Sequence, residues 1–300
     1  MNRVDQKPLA AFAVALLGIG ALSAMDAVMK GLSIDLGALA TMCWRSLLAA
    51  VVMAMPYFAL RKDRPAAGAM RLHLVRAVIM LPMALLFFWG LARVPMAQAI
   101  ALTFVAPLMS LFLAAIILKE PVGPRTIGAS ALAFVGVLVI FYGQGQSDLG
   151  RDALLGSIAI LGSAICYAFN IVIMRSQAQL AGPTEIAFFQ YLFGGIGYWL
   201  VSLVTGPPAY PTGHETAIVL ATALSIAGML LLAWAYARAG AGYLSSSEYS
   251  GFVYAMVLGW LVFGETVSPY TAAGALLIVA GCVLAARTVA KSQPAVEVVA

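Results

Sequence analysis

Asp26, Arg45 and Glu248 stand inside long apolar stretches of the chain. A charge in hydrocarbon is costly, so such residues pair with one another or serve an ion or substrate path. Two uses are open for each. Asp26 and Arg45 can pair across neighbouring helices, which is structural, whereas Glu248 or Asp26 can meet a substrate ammonium or carry a coupling proton. Around them lie Trp89, Thr103, Phe104, Tyr167, Asn170, Trp234, Ser247, Tyr249 and Tyr254, expected to line a binding cavity with Glu248. An aromatic pocket with a few polar groups suits an amphipathic small solute. The competing reading puts Trp and Tyr in the interfacial belts, Trp89 and Trp234 above all, and Phe in helix packing.

No catalytic, metal or cofactor site is expected. Cys43, Cys166 and Cys282 are isolated, and His73 and His214 lie far apart at span margins. There is no G-x-S-x-G, H-E-x-x-H or phosphate-loop motif. A membrane-embedded enzyme needs such clustered nucleophiles, histidines or paired carboxylates.

These residues sit in a chain of 300 residues that is 63% hydrophobic and 10% charged, with a mean hydropathy of +0.99. A soluble domain carries about 25% charged residues. A spanning helix needs roughly 20 apolar residues, and such stretches follow one another from Leu9 to Ala290, the first expected over Leu9–Met29, which puts Asp26 about one turn inside its outer end, and the third over Leu72–Ala92. The net charge of +5 lies between the apolar spans, which excludes nucleic-acid binding and reads as a topology signal. Arg3 and Lys7 before Leu9–Ala24 also look like a signal peptide, but the segment has a mid-chain counterpart.

That counterpart belongs to a duplication. At an ungapped offset of 145, Lys30 falls on Arg175, Gly37 on Gly182, Trp89 on Trp234, Arg93 on Arg238 and Glu120 on Glu265. Pro124, Thr126 and Gly136 likewise fall on Pro269, Thr271 and Gly281. The fold class is therefore all-α and integral to the membrane. Ten helices are expected in two five-helix repeats, residues 1–145 and 146–290, with a short tail at 291–300. Five crossings per repeat make the second repeat inverted. With the N-terminus inside, twelve of the 17 Lys and Arg are cytoplasmic and three (Lys30, Arg93 and Arg151) are outside, so both termini are expected in the cytoplasm.

Inverted repeats are a mark of secondary transporters, whose sites lie near the midplane where helices are interrupted. Pro82 and Pro107, with Gly228 and Gly251 beside their counterparts, are the expected hinges. The cavity is expected between the third, fourth, eighth and ninth spans, with the first and sixth beside it. Glu120 and Glu265 precede Pro124 and Pro269 by four residues and are expected to be structural, capping helix N-termini.

The duplicated stretches Leu118-Lys119-Glu120-Pro121-Val122-Gly123-Pro124 and Phe263-Gly264-Glu265-Thr266-Val267-Ser268-Pro269, with Phe104-Val105-Ala106-Pro107, resemble the drug/metabolite transporter superfamily. Within it the chain is similar to the ten-helix EamA branch and to bacterial amino-acid exporters of the YddG type. The resemblance covers nearly the whole chain and implies export of amino acids or related metabolites, aromatic and other neutral ones among them, across a bacterial inner membrane. It implies no ATP hydrolysis and no cofactor. A carrier for drugs or cationic metabolites is the alternative. The family often repeats the mid-helix proline in the ninth span, where this chain has Ser250-Gly251-Phe252. Coupling to protons and oligomeric state are left open, and a monomer is compatible.

Overall fold

The computed structural model describes residues 8–60, 65–118, 124–145, 150–239, 244 and 247–292. In chain order the helices are α1 (Pro8–Asp35), α2 (Ala38–Leu60), α3 (Ala67–Leu91), α4 (Met96–Thr103), α5 (Val105–Leu118) and α6 (Pro124–Gly145). The second half has α7 (Gly150–Ala178), α8 (Pro183–Thr205), α9 (Glu215–Tyr236), α10 (Ser250–Phe263) and α11 (Pro269–Ser292). No strand occurs among the described residues. Seven of these helices, α1–α3 and α6–α9, are long and apolar enough to cross a membrane, and α4 with α5, α10 and α11 supply shorter apolar stretches. Helices satisfy most backbone groups within themselves, which is what hydrocarbon requires of a spanning segment. The chain is a multi-pass membrane protein.

Two boundaries differ from expectation in ways that matter. α1 runs six residues past Met29 to Asp35, so Asp26 is about 14 Å from the helix end at 1.5 Å per residue rather than one turn inside it. α3 begins at Ala67 rather than Leu72, so His73 is inside the helix and is 2% exposed. Of the other expectations, Glu120 and the tail from 293 onward lie outside the described residues.

Helices pair across the two halves: α1 with α9, α3 with α7, α2 with α8, α4 with α10, and α6 with α11. The contacts are reciprocal at the offset of 145. A Cβ on Gly136 would stand 2.6 Å from the carbonyl oxygen of Gly274, and at the mated positions a Cβ on Gly281 would stand 2.5 Å from that of Ala129. In the same way Gly18 meets Gly228 backbone to backbone, and the mated Ser163 Oγ donates to the Met83 carbonyl at 2.7 Å. Swapping the halves maps these contacts onto their mates, so the paired helices are related by an approximate two-fold axis. Small residues at these crossings let helix backbones approach closely, which is how helices associate where lipid removes the hydrophobic drive.

The fourth span breaks into α4 and α5 at Phe104, which is in a turn. Pro107 explains this, since its ring and missing N–H disrupt the hydrogen bond to the fourth residue before it. The second half, without a proline, turns at Tyr249, the residue 145 positions later. There Ser250 Oγ donates to the Ser247 carbonyl at 2.6 Å, and the Phe252 N–H to the Tyr249 carbonyl at 3.2 Å. Both halves are interrupted at one position by different local chemistry. Pro82, by contrast, lies in an unbroken α3.

Candidate functional site

α3 and α7 run antiparallel, touching at Gly90 and Gly156, Met83 and Ser163, Arg76 and Asn170, and His73 and Gln177. On α7, Tyr167, Asn170, Met174 and Gln177 recur at helical spacing and form one stripe facing α3. Arg76 Nε donates to Asn170 Oδ1 at 2.8 Å and its Nη1 to Gln177 Oε1 at 2.7 Å. Its other nitrogen has only the Met174 sulfur, 4.0 Å away. Because Gln177 Oε1 accepts from Arg76, its Nε2 donates to His73 Nδ1 at 2.6 Å. The neutral ring then donates from Nε2 to Glu185 Oε1 on α8 at 3.0 Å, and Phe189 stacks on it at 4.8 Å. Arg76, Asn170, Gln177 and His73 are all buried.

Glu248 is exposed, with the Tyr236 hydroxyl donating to its Oε1 at 2.7 Å. Tyr167, 40% exposed, lies within electrostatic reach of both Glu248 and Arg76. The end of α9, the turn before α10 and the polar stripe of α7 thus bring together Glu248, Tyr236, Tyr167, Asn170 and Arg76. A carboxylate at the depth of hydrocarbon is costly unless it pairs or meets water.

The other expected lining residues are distributed differently. Ser247 Oγ is turned back onto the Leu244 carbonyl at 2.6 Å and Thr103 Oγ1 onto that of Ile100 at 2.7 Å. Tyr254 packs on α1 over Gly20. Phe104 and Tyr249 meet edge to face, ring centroids 5.5 Å apart, and the Phe104 carbonyl accepts from Cys282 Sγ at 3.1 Å. Trp89 and Trp234 do not share a site. Trp89 lines a 700 Å³ recess with Leu36, Gly37 and Ala209 beside the α1–α2 turn. Trp234 ends α9, whose start lies at that turn, where His214 faces Asp35 at 3.8 Å. Each is capped by the arginine four residues on, Arg93 at 3.7 Å and Arg238 at 4.0 Å from the ring centre. That geometry fits an interfacial anchor. Gly228 is a packing contact with Gly18, and Gly251 is buried opposite Ile19 and Ile100.

Asp26 and Arg45 are electrostatic neighbours, but no direct ion pair joins them among the described residues. Arg45 instead reaches Ser225 Oγ at 3.3 Å and lies 5.9 Å from the Tyr191 ring centre. Its Nε has no hydrogen-bond partner.

A charged tie that sequence reasoning missed joins the halves beside the α1–α2 turn. Lys30, 4% exposed, bonds to the Val94 carbonyl at 2.6 Å and forms an ion pair with Glu265. Glu265 Oε2 also accepts from the Met96 N–H at 2.7 Å, capping α4. The carboxylate caps a helix as expected, but α4 of the other half rather than the helix that follows it. Gly264 aims it there: in the left-handed region at φ 64°, it ends α10 and lets the Glu265 N–H return to the Gly259 carbonyl at 3.0 Å.

The sequence profile of the EamA-like transporter family matches residues 9–142 and again 154–287. The chain belongs to that family. The two matched stretches start 145 residues apart, the spacing of the duplication. The riboflavin transporter of Rhizobium johnstonii is 30% identical over 226 residues, covering 72% of this chain and 70% of its own length. The pseudopaline exporter CntI of Pseudomonas aeruginosa is 26% identical over 280 residues, 92% of this chain and 95% of its own. The probable terminal-alkyne amino-acid exporter of Streptantibioticus cattleyicolor is 28% identical over 207 residues, 66% and 67% of the two chains. One solved crystal structure shares the fold, with a TM-score of 0.61 at 17% identity over 95% of this chain and 99% of that one. The EamA protein is a membrane transporter and not an enzyme.

Proposed function

We propose that this protein exports amino acids, aromatic and other neutral ones among them, from the cytoplasm by alternating access. In this reading ten helices form two inverted repeats, 1–145 and 146–290, in a bacterial inner membrane with both termini inside. The observation that carries it is the exposed Glu248 carboxylate held by Tyr236 beside Tyr167. This is a negative and aromatic surface for the ammonium and side chain of a neutral amino acid. The reciprocal contacts of the two halves support alternating access, since near-equivalent halves can exchange arrangements around one site. The Lys30–Glu265 tie supports a state closed at the outer end.

Counterflow in proteoliposomes loaded with a panel of neutral amino acids tests the reading, and exchange of none of them rejects it. A second reading, a carrier of lipophilic cations, draws on the same Glu248 and its tyrosines. Uptake of a quaternary ammonium dye without amino-acid exchange would favour it. Dependence of exchange on an imposed pH gradient separates proton antiport from facilitated diffusion.

A further inference from the structure

We propose that Arg76 recognises a carboxylate on the transported solute, so that the substrates are zwitterions carrying a free carboxylate and an ammonium. This rests on the amino-acid reading above and names the group that reads the second charge.

Burying a guanidinium is costly unless its charge is compensated. Arg76 is 6% exposed, and its close partners are the neutral amide oxygens of Asn170 and Gln177. No ion pair to it occurs among the described residues, and the nearby Glu185 is engaged by His73. Two hydrogen bonds fix the fork of five N–H groups while its charge stays uncompensated. A fixed and uncompensated guanidinium is a receptor for a carboxylate.

The two-fold relation argues that helix packing does not require this arrangement. At the mated positions of α1 and α9, His73 is replaced by Ile218, Arg76 by Ala221, Asn170 by Met25 and Gln177 by Leu32. Ile218, Ala221 and Leu32 are buried, and Met25 packs against the same core. The same helix pairing is therefore held by apolar side chains in one half and carries a charge in the other. Charge placed where packing does without it serves a ligand. Tyr167 feels the charges of both Arg76 and Glu248, so an amino acid near it would have a partner for each of its two ends.

Counterflow of labelled L-phenylalanine and of phenethylamine, which lacks the carboxylate, tests the assignment. Wild type is expected to prefer phenylalanine by at least about tenfold, since phenethylamine leaves the buried guanidinium without its partner. Asn170→Asp keeps an acceptor for Arg76 Nε and supplies a fixed negative charge, so it is expected to abolish that preference with the melting temperature maintained. Arg76→Lys, which loses the fork, is expected to do the same. Retained preference in Asn170→Asp, or equal loss of both solutes, makes Arg76 a structural tie and overturns the assignment alone. A wild type that moves both equally overturns the assignment alone, whereas one that moves neither these solutes nor any amino acid of the panel rejects the amino-acid reading and the assignment with it.

Discussion

Phe104 and Tyr249 occupy one position of the two repeats, 145 residues apart, and their rings meet edge to face at 5.5 Å. Each marks the turn that interrupts its span, so the two breaks touch at the two-fold axis. An edge-to-face pair contributes about 0.5–1.5 kcal/mol beyond its buried area. A double-mutant cycle of Phe104→Ala and Tyr249→Ala, read by thermal unfolding in detergent, is expected to give a coupling of about 1 kcal/mol. Tyr249→Phe should leave the melting temperature near wild type. Strict additivity of the two truncations would mean that the breaks are independent.

Lys30 and Glu265 tie α1 to the segment after α10 while Glu265 caps α4. Removing one partner of a buried ion pair strands the other and costs about 3–5 kcal/mol. Lys30→Met and Glu265→Gln are each expected to lower unfolding stability by that order. The double variant should lose less than the sum, because no charge is left unpaired. Full additivity would exclude the pair as a stabilising unit.

Hydropathy was enough to show a multi-pass membrane chain, and the offset of 145 agrees with the two family matches, because both are one-dimensional patterns. Partners across helices are not. Lys30 and Arg175, and Glu120 and Glu265, were visible as repeated charges. Only the α10–α11 segment returning to α4 turns the first and last of these into a pair. Arg76 went unread for a related reason. Its partners come from α7, about one hundred residues later, and nothing in a single chain states that α3 lies against α7. The extent of α3 added to this, since a start at Leu72 makes His73 a margin residue and a start at Ala67 buries it. The break at Tyr249 was obscured by the missing proline.

The crossing of α6 and α11 gives a backbone-level test. A methyl on Gly136 would stand 2.6 Å from the Gly274 carbonyl, and helix backbones on both sides cannot yield as a flexible side chain would. Gly136→Ala is expected to cost about 1–3 kcal/mol of unfolding stability, the usual range for overpacking. Gly128 on the same helix has no atom within 4 Å of an added Cβ, so Gly128→Ala should be neutral or stabilising by up to about 1 kcal/mol. Equal effects of the two would mean that α6 and α11 do not approach this closely in the membrane.

The hydrogen bonds from Arg76 to Glu185 have a fixed direction, and it predicts the order of two substitutions. His73 Nδ1 accepts from the Gln177 amide, whose oxygen accepts from Arg76. His73→Asn keeps an oxygen that can accept from Gln177, whereas His73→Leu leaves that buried N–H group without an acceptor. A buried donor left unsatisfied costs about 1–3 kcal/mol, so His73→Leu is expected to lose that much unfolding stability and His73→Asn clearly less. Thermal unfolding of both variants in detergent checks this, and equal losses would mean that Gln177 does not depend on the ring.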